Sequence, residues 1–470
     1  MVDLELCYAS ATDLAQRIRC GTISPVDVVR NSLARIEEVQ PQLNGFCFVY
    51  PEEALERARA AEAAATKGEV WGPLHGVPIA IKDLTPTRGK RTTMGSRIYE
   101  HWVPDKDAAV VARLIGAGAI MVGKTTTPEF ASSTFTESPL WGITRNPWDR
   151  ERTPGGSSGG SAVAVATGCV ALAEGSDMGG SVRIPASFSG VVGLKPSFGR
   201  IPFEILPSQF DSISHFGPLA RTVEDAALFL AVTQGPDERD IQTLKPALDV
   251  VLPLDPDLRG MRIALSVDLG YCRIAPQVEA ATRSAADALR DAGAVVEDVE
   301  LGWTREINDA WLRHWGVYLA AFFGQHLGEW RSKMDPNVVE LMDQGFAMGA
   351  VDFKRIEFVR TRQWQTLGPI LERFDALLCP TMSRTAPEVG RAETDFVIDD
   401  AEGRFLGLDL TMPFNFVSQC PAISIPFGFD DQALPIGVQV VGRRYDDLTT
   451  LRIGKALETA AGGGYKRPPL

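Results

Sequence analysis

Residues 153–195, TPGGSSGGSAVAVATGCVALAEGSDMGGSVRIPASFSGVVGLK, constrain this chain more than any other stretch. Two glycine-flanked serine clusters are separated by a run of mostly Ala, Val and Gly, which reads as a helix and then a strand, both buried and closely packed. Loop, helix, strand and loop in succession bring the clusters together, so a paired-hydroxyl site is expected. Gly179 and Gly180 ahead of Ser181 remove Cβ atoms where a substrate carbonyl would approach two or three backbone N–H groups, as in an oxyanion hole.

Upstream, GPLHGVPIAIKDL turns at Gly76 and Pro78 into the apolar run VPIAI, which ends on Lys82 and Asp83. Two readings of Lys82 stand. Burial lowers an amine's pKa, which would make Lys82 a base near neutral pH. The blander and commoner alternative is a lysine balanced by Asp83 or reaching water with its head group.

Two short patterns are set aside. Gly118 to Thr125 fits GxxxxGKT, but Ala119, Ile120, Met121 and Val122 read as a buried strand following a helix that ends near Gly116, where a phosphate loop needs a flexible turn into a helix. GGSSGG fits GxSxG centred on Ser157 or on Ser158, yet NPWDRERTPGG before it reads as loop, and only His215, His314 and His326 follow. A Ser-His-Asp triad is poorly supported.

In chain order, residues 9–42 read as two amphipathic helices, the second capped by Ser24 with Pro25 at its first position. NGFCFVY reads as a strand and the alanine-rich segment after it as a helix stopping at Gly68. SHFGPLARTVEDAALFLAVTQG is a strand or turn, then a helix capped by Thr222. MRIALSVDLG and the segment after it give strand, helix and strand, an α/β pattern, with residues 244–260 as a crossing between sub-regions. Residues 305–375 are mainly helical. There Trp311, Trp315, Tyr318, Phe322, His326 and Trp330 recur at three- and four-residue intervals, a stripe that is more often core than binding wall. ALLCPT, a loop TMPFNFVSQCPAISIPFG, the strand IGVQVVG and a helix over 448–459 complete the sheet.

A formal net charge of -13 argues against a nucleic-acid partner, because phosphate binding needs an excess of Lys and Arg. Seven scattered cysteines without a CxxC pair indicate neither zinc nor a disulfide framework, so a reducing cytoplasm is the default. The acidic start lacks a signal-peptide pattern, and no run of eighteen apolar residues occurs, so no membrane association is expected.

Taken together, GVPIAIKD, PGGSSGGS, GSDMGGSVRIPASFSGVVGLKPS, FGPLARTVEDAAL, NFVSQCPAISIPFG and LPIGVQVVG resemble the amidase signature family of serine hydrolases, in order and over nearly the whole chain. The resemblance implies a single domain over residues 1–470: helices in 9–68, a signature core over about 72–235, and a variable, substrate-facing helical region over about 305–375. It implies an α/β fold, a mixed twisted sheet with helices on both faces. It also implies Ser181 as nucleophile, Ser157 as bridging serine after a cis peptide from Gly156, and Lys82 as base. Backbone N–H groups of Met178, Gly179, Gly180 and Ser181 would form the oxyanion hole. Ser158 and Ser161 would support the loop, with Asp177 and Arg183 orienting it and Arg183 within reach of substrate; an ordinary loop hydroxyl is the plainer alternative for each serine. The reaction expected is hydrolysis of a small-molecule amide, ester or carbamate through a seryl acyl-enzyme, with no metal or cofactor and with a homodimer as the default assembly. One alternative is the glutaminase subunit of a tRNA-dependent amidotransferase; such subunits usually carry glutamine after Ser-x-Arg, where this chain has Ile184. Another is a carbamate or cyclic-amide oligomer hydrolase. The substrate pocket is expected from residues 125–137, the aromatic helices around 311–330 and residues 411–420, with an apolar or aromatic group favoured over a charged one.

Overall fold

The run VPIAI is too uniformly apolar for a strand with one wet face, and in the computed structural model all of it but Val77 lies in a buried interior strand, Pro78–Lys82. The structure describes residues 2–391, 393–396, 407–462 and 466–470. Among them one eleven-stranded sheet runs, from edge to edge, Phe46–Val49, Ile120–Thr125, Pro78–Lys82, Leu172–Asp177, His215–Ala220, Val192–Lys195, Ala422–Phe429, Pro435–Gly442, Ala376–Pro380, Arg262–Leu265 and Val295–Asp298. The sheet is mixed, as expected. Ile120–Thr125, Pro78–Lys82 and Leu172–Asp177 are mutually parallel, so their carboxyl ends emerge side by side; Lys82 pairs with Thr125, and Ile79 and Ala80 pair with Leu172 and Ala173.

Helices cover both faces, and alternation along the strands shows how. Ile79 and Ile81 join one apolar cluster with the helices Ala11–Arg19, Ala109–Gly116 and Val223–Thr233, whereas Ala80 joins another with Pro25–Leu43, Pro51–Thr66 and Gly159–Ala166. Parallel neighbours need such crossovers; Gly159–Ala166, buried at every position, makes the one into Leu172–Asp177. The predicted caps form: the Ser24 hydroxyl accepts from Val26 N–H and that of Thr222 from Asp225 N–H.

The GKT of the rejected phosphate-loop pattern closes the strand Ile120–Thr125, and Lys124 is buried, donating to the Thr85 carbonyl and to Thr92 Oγ1 at 2.7 and 2.6 Å. Two expectations are corrected. The helix Glu306–Phe323 stops before a 3-10 turn at Gly324–His326, so His326 and Trp330 leave the stripe that Trp311, Trp315 and Tyr318 keep. The segment expected as a loop holds the short helix Pro413–Phe416 and the strand Ala422–Phe429, because apolar AISI pairs on both sides despite the prolines flanking it. Among the described residues no helix is long and apolar enough to cross a membrane.

Candidate active site

Strand direction brings the expected residues to one place. Lys82 ends one parallel strand, Asp177 ends its neighbour, and the loop ahead of Gly159–Ala166 carries Ser157 across to them. Lys82 Nζ lies 2.6 Å from Ser157 Oγ and 3.0 Å from Ser176 Oγ, with no solvent exposure at any of the three residues. Burial pulls the Lys82 amine down to about 7, against the upward pull of Glu174 and Asp177. Asp83 does not balance it: that carboxylate accepts the backbone N–H and the hydroxyl of Thr93. The Gly156–Ser157 peptide is cis. Ser181 faces a cavity and is 9% exposed. Its hydroxyl has no partner among the described residues, while its carbonyl accepts Ser158 N–H at 3.1 Å and ties the two serine loops together. Catalytic hydrogen bonds commonly tighten only when substrate binds.

The loop between Asp177 and Ser181 is held from behind. Arg183 donates Nε to Asp177 Oδ2 and Nη2 to Oδ1, both at 3.0 Å, and further to the Thr411 carbonyl, Gln439 and Asn415. Burial pushes Asp177 up, but the Arg183 guanidinium and the hydrogen bonds outweigh it and hold the carboxyl well below the usual range. Arg183 has no exposure, all its nitrogens are engaged, and it is not part of the wall of the cavity at Ser181. Asp177 Oδ1 also accepts Gly180 N–H at 2.8 Å. That donor is thereby withdrawn from the expected oxyanion hole; the N–H groups of Met178, Gly179 and Ser181 have no acceptor among the described residues. The carbonyl of Met178 accepts from Trp311 Nε1 at 3.3 Å and that of Gly179 from Thr411 Oγ1 at 2.6 Å. In a trans peptide the N–H points opposite to the C=O, so these two anchors fix the direction of the loop's donors. Both glycines are required: a Cβ on Gly179 would sit 2.3 Å from Trp311 Cζ2, and one on Gly180, at φ +126°, 1.7 Å from Thr411 Oγ1.

The Ser158 and Ser161 hydroxyls donate to the Ser176 and Glu174 carbonyls at 3.3 and 2.8 Å. Histidine stays out. His215 Nδ1 sits on the carbonyls of Asp177 and Ile213, His314 stacks on Phe353, and His326 bonds the Tyr99 hydroxyl. Burial, with the nearby Lys195 charge, pulls His215 down to about 3.

The cavity at Ser181, about 60 Å³, is walled by Ser132, Ile184, Trp311, Trp315 and Met412, and it shares Ser132, Leu341 and Met412 with an adjoining chamber of about 290 Å³. Residues 131–134, the helix Glu306–Phe323 and Leu341 of the helical region 305–375 line it; from 411–420 only Met412 does, and Asp409 comes from a segment not anticipated. Glu174 and Ser176 were also missed, although the alternation in LAEGSD places both on one strand face. Thr411, Asn415 and Gln439 carry no local signal.

A family profile described as "Amidase" matches residues 27–451. The chain is 35% identical over 491 positions to a glutamyl-tRNA(Gln) amidotransferase subunit of Chloroflexus aggregans, covering 99% of each chain. To an acylamidase of Rhodococcus erythropolis it is 34% identical over 474 positions, covering 100% of this chain and 98% of that one. The structure of a bacterial aryl acylamidase of the amidase signature family superposes with a TM-score of 0.90 at 30% identity, over 96% of each chain. Likeness of this extent, in sequence and in fold, places the chain in the amidase signature family, as an enzyme that hydrolyses carboxylic amide bonds.

Proposed function

We propose that this protein is a free-standing amidase in which Ser181 is the nucleophile, Ser157 the proton relay and Lys82 the base. The observation that carries the reading is the 2.6 Å approach of Lys82 Nζ to Ser157 Oγ in a site closed to solvent, with Ser181 alone of the three facing the cavity. The neutral amine takes the Ser157 proton while Ser157 takes that of Ser181, and Ser181 Oγ bonds to the substrate carbonyl carbon. The oxyanion is met by the N–H groups of Met178, Gly179 and Ser181; loss of one such donor costs on the order of a hundredfold or more in rate. As the C–N bond breaks, Ser157 returns a proton to the leaving amine and is reprotonated from Lys82. Water then enters, gives its proton to the same relay, and releases the acid. Ser158, Asp177 and Arg183 hold the loops and take no part in bond exchange.

The slot at Ser181, with two tryptophans in its wall, supports an apolar or aromatic group beside the scissile carbonyl, as in acyl anilides and aliphatic amides. The reading has the enzyme act in the cytoplasm, alone or as a homodimer, without a nucleic-acid partner. A panel of acyl anilides, aliphatic amides, carbamates and glutamine tests it: turnover of anilides or aliphatic amides by the purified chain is expected. The likeness to amidotransferase subunits favours a second reading, a glutaminase working inside a complex. Turnover of glutamine alone, together with co-purification of a second protein, would establish that reading instead. Ile184, apolar in the slot wall where those subunits usually carry glutamine, supports the first.

A further inference from the structure

Lys82 has a second attendant besides the serines. Glu174 lies on the adjacent parallel strand, without solvent exposure, and its carboxylate accepts the backbone N–H of Lys82 at 2.9 Å through Oε2 and the Thr85 hydroxyl at 3.0 Å through Oε1. It therefore bridges the place where the ladder between the two strands ends, and it addresses the main chain of Lys82, not its ammonium, which is bonded to Ser157 and Ser176.

The charges around the amine come from few groups. On its own strand end, Asp83 is engaged by Thr93. From the strand Leu172–Asp177 come Glu174 and Asp177, and from Ile120–Thr125 comes Lys124, which faces Glu174 and Asp83. Asp177 is compensated by a paired Arg183 guanidinium, whereas the hydrogen bonds to Glu174 come from neutral donors. Of the two acids whose charge acts on the amine, Glu174 and Asp177, only Asp177 carries a guanidinium.

Resting on the catalytic reading above, we propose that Glu174 is a positioning residue for the base: its carboxylate fixes the backbone from which Lys82 projects, and its charge sets the pH at which the amine becomes free to accept the Ser157 proton. Negative charge nearby favours the ammonium, so removing it must let the amine become neutral at lower pH. Burial pushes the Glu174 carboxyl up, which keeps the acid and the amine in the same titration range.

The test is the pH profile of kcat/KM for Glu174→Gln, which keeps an acceptor for Lys82 N–H but removes the charge. The acidic limb is expected to move to lower pH by about one unit or more. If Glu174→Gln does not fold, Thr85→Val takes its place: loss of the donor to Oε1 makes the carboxyl hold its proton more tightly, and the limb moves the same way by less. A limb that overlays wild type in a folded variant, with Lys82→Ala inactive, overturns this inference and leaves the catalytic reading standing, since a purely structural acceptor would survive as glutamine. Wild-type turnover by Lys82→Ala would remove the base itself and overturn both.

Discussion

Around Ser181, two residues without side chains decide as much as those with them. Gly179 backs onto the Trp311 ring and Gly180 onto the Thr411 hydroxyl, so the loop lies against two walls that leave no room for a methyl group. Gly179→Ala is expected to displace the Trp311 ring and lower kcat/KM at least tenfold, by about 1.4 kcal/mol in transition-state stabilisation; Trp311→Ala in the same chain should restore part of the loss. Equal rates for the single and double variants would show that the contact does not govern the loop. Ser181→Ala should lower turnover by about a thousandfold or more with an unchanged melting curve, because the side chain has no hydrogen bond to lose among the described residues. For Lys82 the sign is set by burial. With its pKa drawn down to about 7, kcat/KM should rise with pH through neutrality and level off above it. A lysine at its ordinary value would leave fewer than about one amine in a thousand neutral at pH 7, and the rate would then still be climbing at pH 9.

Individual strands and loops carry a second set of consequences. The loop from Asp177 to Arg183 is a closed unit of one acid, one guanidinium and the backbone donors of Gly180 and Val182. Asp177→Asn would leave Arg183 buried without its counter-charge, and a loss of about 3–5 kcal/mol in chemical unfolding is expected. The sheet also holds Lys195, at the end of Val192–Lys195, donating to the Cys420 carbonyl at 2.8 Å and pulled down by burial to about 7. Lys82 and Lys195 both release a proton on folding between pH 7 and about 10.4, so the unfolded chain binds more protons there and stability must rise with pH across that window, by about 1.4 kcal/mol per unit for each lysine. Lys195→Met should flatten that slope in urea unfolding measured at several pH values; an unchanged slope would mean that this lysine stays charged in the folded protein.

Over the whole molecule, distant segments close the structure around the sheet. The start of the helix Ala11–Arg19 is held by Asp225, whose carboxylate accepts Ala11 N–H and Thr12 N–H, both at 2.9 Å, across more than two hundred residues of chain. Asp225→Ala is expected to lower stability by about 1–3 kcal/mol, seen as an earlier melt, because one buried and one half-buried donor lose their acceptor. The order of the elements, the caps at Ser24 and Thr222, the strand ending on Lys82 and the helix between the serine clusters were legible in the sequence, since each follows from a local pattern of apolar spacing, glycine and capping residues. That Lys82, Ser157 and Ser181 belong to one site was an expectation drawn from the resemblance of the ordered motifs around them. Which donor of the Ser181 loop is withdrawn, which acid accompanies the lysine, and what walls the slot were decided only by the tertiary structure. Glu174 reaches the Lys82 backbone from another strand, and Thr411 holds the Gly179 carbonyl from 232 residues away. Hydrogen bonding and desolvation act over a few ångströms of space, and a linear pattern records those neighbours only where they are also close along the chain.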